Sequence, residues 1–173
     1  MDLPKRKLKR IPAFDYNQQG AYFVTLCTQN RQKILSRVAV GAGLPACPPE
    51  PQAVLLPGGI IVDRYIRQLD QFYRHISVEK YIIMPDHVHL LLVIHGQARR
   101  PAPTKENDRN TEVSKFVGTL KRFSNKEYGK NIWQRSYYDH VIRNQQDYDD
   151  VWEYIDNNPR KRAMQNGESE ISP

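Results

Sequence analysis

Only two cysteines, Cys27 and Cys47, occur in the 173-residue chain. That excludes a disulfide-dense scaffold and any zinc site built from three or four Cys ligands. It fits a reducing, cytosolic compartment. No run of about 18 apolar residues exists, so no membrane span is expected. The basic N-terminus is not followed by an apolar stretch, so no secretory signal is expected either. Acid is the minority charge: 19 Asp plus Glu face 26 Lys plus Arg, a formal net charge of +7. A basic balance favours polyanionic partners without identifying one. The length is that of one ordinary domain, able to bury a core without staples.

Residues 1–12 read as a charged arm carrying Lys5, Arg6, Lys7, Lys9 and Arg10. It would serve either as a solubilising tail or as a phosphate contact. Residues 13–163 read as one domain and 164–173 as a polar tail. Tyr22 to Gln29 is β-favouring on both faces and predicts a central strand. Ile34 and Leu35 would start a second short element. Residues 41–59 hold five prolines and four glycines, which predicts a loop rather than a helix or central strand. Apolar residues at steps of three and four predict a helix over 60–76 and another over 113–128. Strands are predicted over 78–84 and 89–94, turning near Pro85, and a soft linker over 95–111. Residues 132–138 read as a short strand or extended piece, and 147–158 as a helix stopped by Pro159. The order predicts an α+β fold with a ferredoxin-like, RRM-like split βαβ core. Helices would cover one face of a four-stranded antiparallel sheet. The other face would be free for a ligand or for the last, tyrosine-bearing helix.

His87-Val88-His89 is the sharpest local feature. Residues i and i+2 of a strand share a face, so two imidazoles would converge, as suits two ligands of one divalent ion. Structural or chance histidines are the ordinary alternative. A third ligand would come from Asn158, Asp156, Glu153, His95 or His140. Tyr154 and Asn158 are four apart and share a helix face. Docked near the histidines, the phenol would be a nucleophile and the amide oxygen a metal ligand. A partly buried tyrosine and a helix-ending asparagine are the plain alternatives. Tyrosine attack on a phosphodiester would leave a covalent phosphotyrosine and a free 3′-OH, conserving the bond for rejoining. Lys7, Arg10, Lys121, Arg122, Lys126, Arg135 and Arg143 are candidate DNA contacts, with Arg160, Lys161 and Arg162 behind them. Trp133, Tyr137 and Tyr138 lie among these cations, as bases stacking on aromatics would require, although Trp133 would equally cap a core.

The run Met84-Pro85-Asp86-His87-Val88-His89-Leu90-Leu91-Leu92 resembles the HUH motif of small single-tyrosine transposases. Residues 133–143, with Asp147-Tyr148 and then Tyr154-Ile155-Asp156-Asn157-Asn158-Pro159, resemble the REP-associated tyrosine transposases. The likeness spans roughly residues 11–163. It implies a metal-dependent single-stranded DNA endonuclease and strand transferase using Mg²⁺ or Mn²⁺. Such an enzyme acts at hairpin-forming palindromic repeats through a 5′-phosphotyrosine link. It implies that His87 and His89 are metal ligands and Tyr154 the nucleophile, with Tyr148 as its rival and Tyr137 and Tyr138 behind. Asn158 stands where related transposases carry Gln, and His140 matches a signature histidine expected to serve structure or DNA contact. A nucleoid-associated cytoplasmic place is implied, and a homodimer remains open. The alternative readings are a non-catalytic single-stranded nucleic-acid-binding module with the same sheet, and a metal-dependent hydrolase without a covalent step.

Overall fold

The computed structural model describes residues 18–40, 51–96 and 111–166. The basic arm with Lys7 and Arg10, residues 41–50 of the Pro/Gly-rich loop, most of the 95–111 linker and the end of the tail lie outside the described residues. β1 (Gly20–Cys27) leads through a 3₁₀ turn to a two-stranded ribbon of β2 (Ser36–Val40) and β3 (Pro51–Leu55). Then come α1 (Pro57–Phe72), β4 (Ile76–Ile83), β5 (His87–Ile94), α2 (Glu112–Tyr128), β6 (Tyr138–Ile142) and α3 (Gln145–Asn166). The main sheet is antiparallel, in the order β4-β5-β1-β6. That is the ferredoxin-like arrangement the element order predicts.

Strand alternation divides the sheet into two faces. Tyr22, Val24 and Leu26 of β1 and Val88, Leu90, Leu92 and Ile94 of β5 point to one face. There they pack under Val62 and Ile66 of α1 and Val113, Phe116, Val117 and Leu120 of α2, all fully or nearly fully buried. Burying each such Leu, Ile, Val or Phe is worth about 1.5–3 kcal/mol, so this layer is the main source of stability. Tyr65 and Tyr73 pack against the same core, as their place on the helix stripe predicts. On the opposite face a smaller cluster joins Leu91 of β5 to Val151 and Ile155 of α3, flanked by Phe23, Ile82, Ile142 and Tyr148. The last helix therefore covers the face left free by the first two.

Four sequence expectations are corrected. The 41–59 stretch is not all loop: Pro51–Leu55 pairs with Ser36–Val40, and α1 begins at Pro57. Proline is tolerated at the edge of a small ribbon and favoured in the first helical turn, where its missing N–H has no partner to lose. Gly58 and Gly59 are needed in that turn because Ile34 and Leu35 carbonyls press on them; a Cβ at Gly59 would stand 1.9 Å from the Leu35 oxygen. α1 also ends at Phe72, and Ile76 opens β4. The strand predicted over 132–138 is displaced: the segment makes one isolated bridge, Thr28 to Trp133, and the strand proper is Tyr138–Ile142. Finally, Pro159 does not stop α3, which runs on to Asn166. One lost backbone hydrogen bond is tolerated because the helix is held by contacts with β2, β3, β4 and β5.

Candidate active site

His87 opens β5, and His89 follows on the same face, turned away from the main core. The preceding turn is tightly held. Met84 N–H donates to the His87 carbonyl at 2.8 Å, and the Thr28 N–H and hydroxyl donate to the Asp86 carbonyl at 2.9 and 3.0 Å. The two imidazole rings stand 4.6 Å apart between centroids. Helix α3 lays Tyr154 against them, its ring 5.3 Å from His89 and 5.8 Å from Phe23. Phe23 in turn stacks on His89 at 5.1 Å. Tyr154 keeps 38% of its surface exposed. The Lys161 ammonium lies 5.0 Å from the centre of its ring.

Each histidine has one ring nitrogen engaged by the fold. His89 Nδ1 meets Thr25 Oγ1 at 2.9 Å across the β1–β5 pair, and His87 Nδ1 meets Asp86 Oδ1 at 2.8 Å. Asp86 is flanked by Arg31 at 3.5 Å and Arg162 at 3.8 Å. Burial pushes the Asp86 carboxyl up, but the His87 hydrogen bond and the charges of His87, Arg162 and Arg31 outweigh it, and the net pKa is lowered. Burial lowers the His87 pKa against the opposing pull of Asp86. Burial, with the charges of His87 and Arg31, pushes His89 down to about 3. Both rings are thus neutral at physiological pH. The ionised Asp86 has no proton to give, so His87 Nδ1–H is the donor and Nε2 carries the lone pair. The His89 Nε2 is buried and has no hydrogen-bond partner among the described residues. A buried ring nitrogen without an acceptor or donor is what a metal-binding imidazole looks like when its other nitrogen is fixed by the protein.

Asn158 is one turn beyond Tyr154, buried at 7% exposure. The other third-ligand candidates are engaged elsewhere: His95 with Ser77, Asp156 with Lys80, Glu153 with Asn157, and His140 with Asp147. Among the described residues no group of three or more His, Cys, Asp or Glu side chains is placed to hold a metal. Tyr148 stacks on Trp152 and packs into the smaller apolar cluster. Tyr137 packs against the main core, and Tyr138 is exposed at the sheet edge.

The architecture resembles a solved structure, a REP-associated tyrosine transposase bound to a REP hairpin. The match has a TM-score of 0.57 and 20% identity, covering 88% of this chain and 74% of that one. The chain shares that fold. A second solved structure, from Deinococcus radiodurans, matches at 16% identity with a TM-score of 0.44, covering 87% of this chain and 97% of that one. In sequence, the chain is 26% identical over 169 residues to an uncharacterised protein of Haemophilus influenzae, covering 89% of this chain and 88% of the other. No protein-family model matches.

The predicted cations are spread over several parts of the described structure. Lys121 donates to the Gln134 and Ser136 carbonyls at 2.8 and 3.1 Å. With Arg135 it lines an open cleft of about 610 Å³ shared with Gln29, Asn30, Asn131, Trp133 and Gln134. This cleft lies at the His87 end of the sheet, beside the Thr28–Trp133 bridge. Arg122 and Lys126 are exposed on α2. Arg143 follows β6 at the other end, where Ile142 pairs with Ala21. Trp133 is only 1% exposed and donates from Nε1 to Ser124 Oγ at 2.8 Å, so it fills the core and is no stacking platform. Thr25 and Arg31 were not singled out by sequence. A lone threonine in an apolar strand was the only available signal for Thr25; Arg31 had none, since its place depends on left-handed backbone at Asn30 and Arg31.

Proposed function

We propose that the protein is a metal-dependent single-stranded DNA endonuclease and strand transferase that uses Tyr154 as its nucleophile. The observation that carries this reading is the convergence of His87 and His89 from β5 with Tyr154 from α3. The His87 and His89 rings lie 4.6 Å apart and the His89 and Tyr154 rings 5.3 Å apart, although 65 positions separate His89 from Tyr154 in the chain. His87 Nε2, His89 Nε2 and the Asn158 amide oxygen would hold a divalent ion, Mg²⁺ or Mn²⁺. The orphaned His89 Nε2 supports that fit. Two imidazole donors suit Mn²⁺ better than the oxygen-seeking Mg²⁺. A bound ion would supply positive charge at the scissile phosphate.

The chain does the rest. Tyr154 Oη attacks the phosphorus and gives up its proton. The P–O3′ bond breaks, the 3′ oxygen leaves and takes a proton, and the 5′ phosphate stays on the tyrosine. The phosphoester is conserved, so a second 3′-OH can reverse the step and rejoin strands. Single strands that carry a palindromic hairpin are the inferred substrate. A hairpin is what the structurally similar transposase was solved with, and the net charge of +7 suits a polyanion.

The test uses labelled hairpin strands from palindromic repeats with the wild-type chain and the Tyr154→Phe, Tyr148→Phe and His87→Ala forms, with and without Mn²⁺. A metal-dependent protein–DNA adduct that survives denaturing electrophoresis is expected. It should be lost in Tyr154→Phe and His87→Ala and kept in Tyr148→Phe. Tight binding without any adduct would favour the non-catalytic binding module instead.

A further inference from the structure

Arg162 lies on α3 two turns beyond Tyr154. Asn158 sits between them, and steps of four keep the three on one side of the helix. The guanidinium reaches toward Asp86, but its Nη2 stops 3.8 Å from Oδ1, beyond hydrogen-bond range. Its Nε is buried and has no hydrogen-bond partner among the described residues. A buried guanidinium N–H without an acceptor is costly to keep, since its water has been removed and nothing replaces it.

The charge balance points the same way. Asp86 already accepts from His87 Nδ1 at 2.8 Å and faces a second guanidinium, Arg31, at 3.5 Å. One carboxylate stands between two guanidinium groups, which leaves these three side chains with a surplus of one positive charge. An anion with several acceptor oxygens would answer both the orphan donor and the surplus charge. Arginine is the side chain best shaped to hold phosphate through a planar fork.

We infer that Arg162 is a phosphate-binding residue of the candidate site, its guanidinium donating to the non-bridging oxygens of the bound DNA strand. The inference rests on the single-stranded DNA reading and deepens it. It assigns a defined contact to one of three consecutive cations, Arg160, Lys161 and Arg162. Asp86 is a positioning residue that orients His87 through its Nδ1.

The test is the salt dependence of strand binding by the full chain, measured by fluorescence anisotropy with a labelled hairpin strand and with labelled oligothymidine. On single strands the slope of log K against log salt changes by about 0.7 for each phosphate contact. Arg162→Gln should make the slope shallower by about 0.7. Arg162→Lys should restore the slope, and Tyr154→Phe should leave it at the wild-type value. A second measurement places neutral methylphosphonates one at a time along the strand. One position should weaken binding by the wild type and by Arg162→Lys, and that same position should cost nothing further in Arg162→Gln. An unchanged slope in Arg162→Gln, or a methylphosphonate penalty as large there as in the wild type, overturns the inference. Strand binding without a covalent adduct would sink the Tyr154 reading while the slopes still decide the role of Arg162. A wild-type chain that binds no strand contradicts both.

Discussion

At the residue scale, the histidine pair is set by what each ring does with its inner nitrogen. Thr25 takes His89 Nδ1 and Asp86 takes His87 Nδ1, which leaves Nε2 as the nitrogen each ring has for another partner. Removing the threonine hydroxyl should loosen His89 without touching the metal donors. Thr25→Val is expected to raise the Mn²⁺ concentration needed for adduct formation by about 10–100-fold, read from a metal titration of the adduct. A variant that titrates like the wild type would show that the hydroxyl orients nothing. For the same donors, Mn²⁺ should support the adduct at lower concentration than Mg²⁺. His87, His89 and Tyr154 were legible as residue types at telling spacings. Thr25 and Arg31 were not, because they reach the site through cross-strand register and a left-handed turn. Arg162 sat in a cationic run with nothing in the sequence to separate it from Arg160 and Lys161.

At the element scale, α1 and α2 owe their ends to local chemistry. Gly59 lets the first turn of α1 touch the Leu35 carbonyl, whereas nothing lies within 4 Å of a Cβ placed on Gly118 in α2. Gly59→Ala should therefore destabilise by about 1–3 kcal/mol. Gly118→Ala should stabilise by about 0.5–1 kcal/mol, because alanine holds a helix better. Urea unfolding of the two variants checks the opposite signs. Thr111 caps α2 in a reciprocal pair with Ser114, and Glu112 in the first turn accepts from His75 and from Lys115, each at 2.7 Å. Burial pushes the Glu112 carboxyl up, but the Lys115 and His75 hydrogen bonds and charges prevail, so its pKa falls below the ordinary 4.5. A lowered carboxyl stabilises the fold at pH above its unfolded pKa, and the effect is lost as pH falls through the folded value. The gap in melting temperature between the wild type and Glu112→Gln should be full at neutral pH and close below pH 4.5. A gap independent of pH would contradict this. The helix periods were readable along the chain. Proline was misread at Pro57 and Pro159: its effect depends on which turn it occupies and on what holds the helix from outside.

At the scale of the whole molecule, the site exists because α3 is pinned across the free face of the sheet. The Lys80 ammonium from β4 pairs with Asp156 at 2.6 Å and sits 4.0 Å over the Trp152 ring, on either side of Tyr154 in the helix. Lys80→Ala should cost about 1 kcal/mol of stability and slow adduct formation more than it weakens strand binding, as single-turnover rates beside anisotropy titrations would record. Equal losses in both would mean that the pin does not position the tyrosine. The α+β class and sheet order were legible from the succession of elements, and no described helix is long and apolar enough to cross a membrane. That the last helix brings its tyrosine to the histidines is a matter of tertiary packing, which no local pattern encodes. The covalent adduct tests that packing most directly. A hairpin strand incubated with Mn²⁺ should yield a denaturation-resistant adduct, and digestion followed by mass spectrometry should find the nucleotide on Tyr154. A nucleotide on Tyr148, or no adduct from any hairpin strand that binds, would contradict the account.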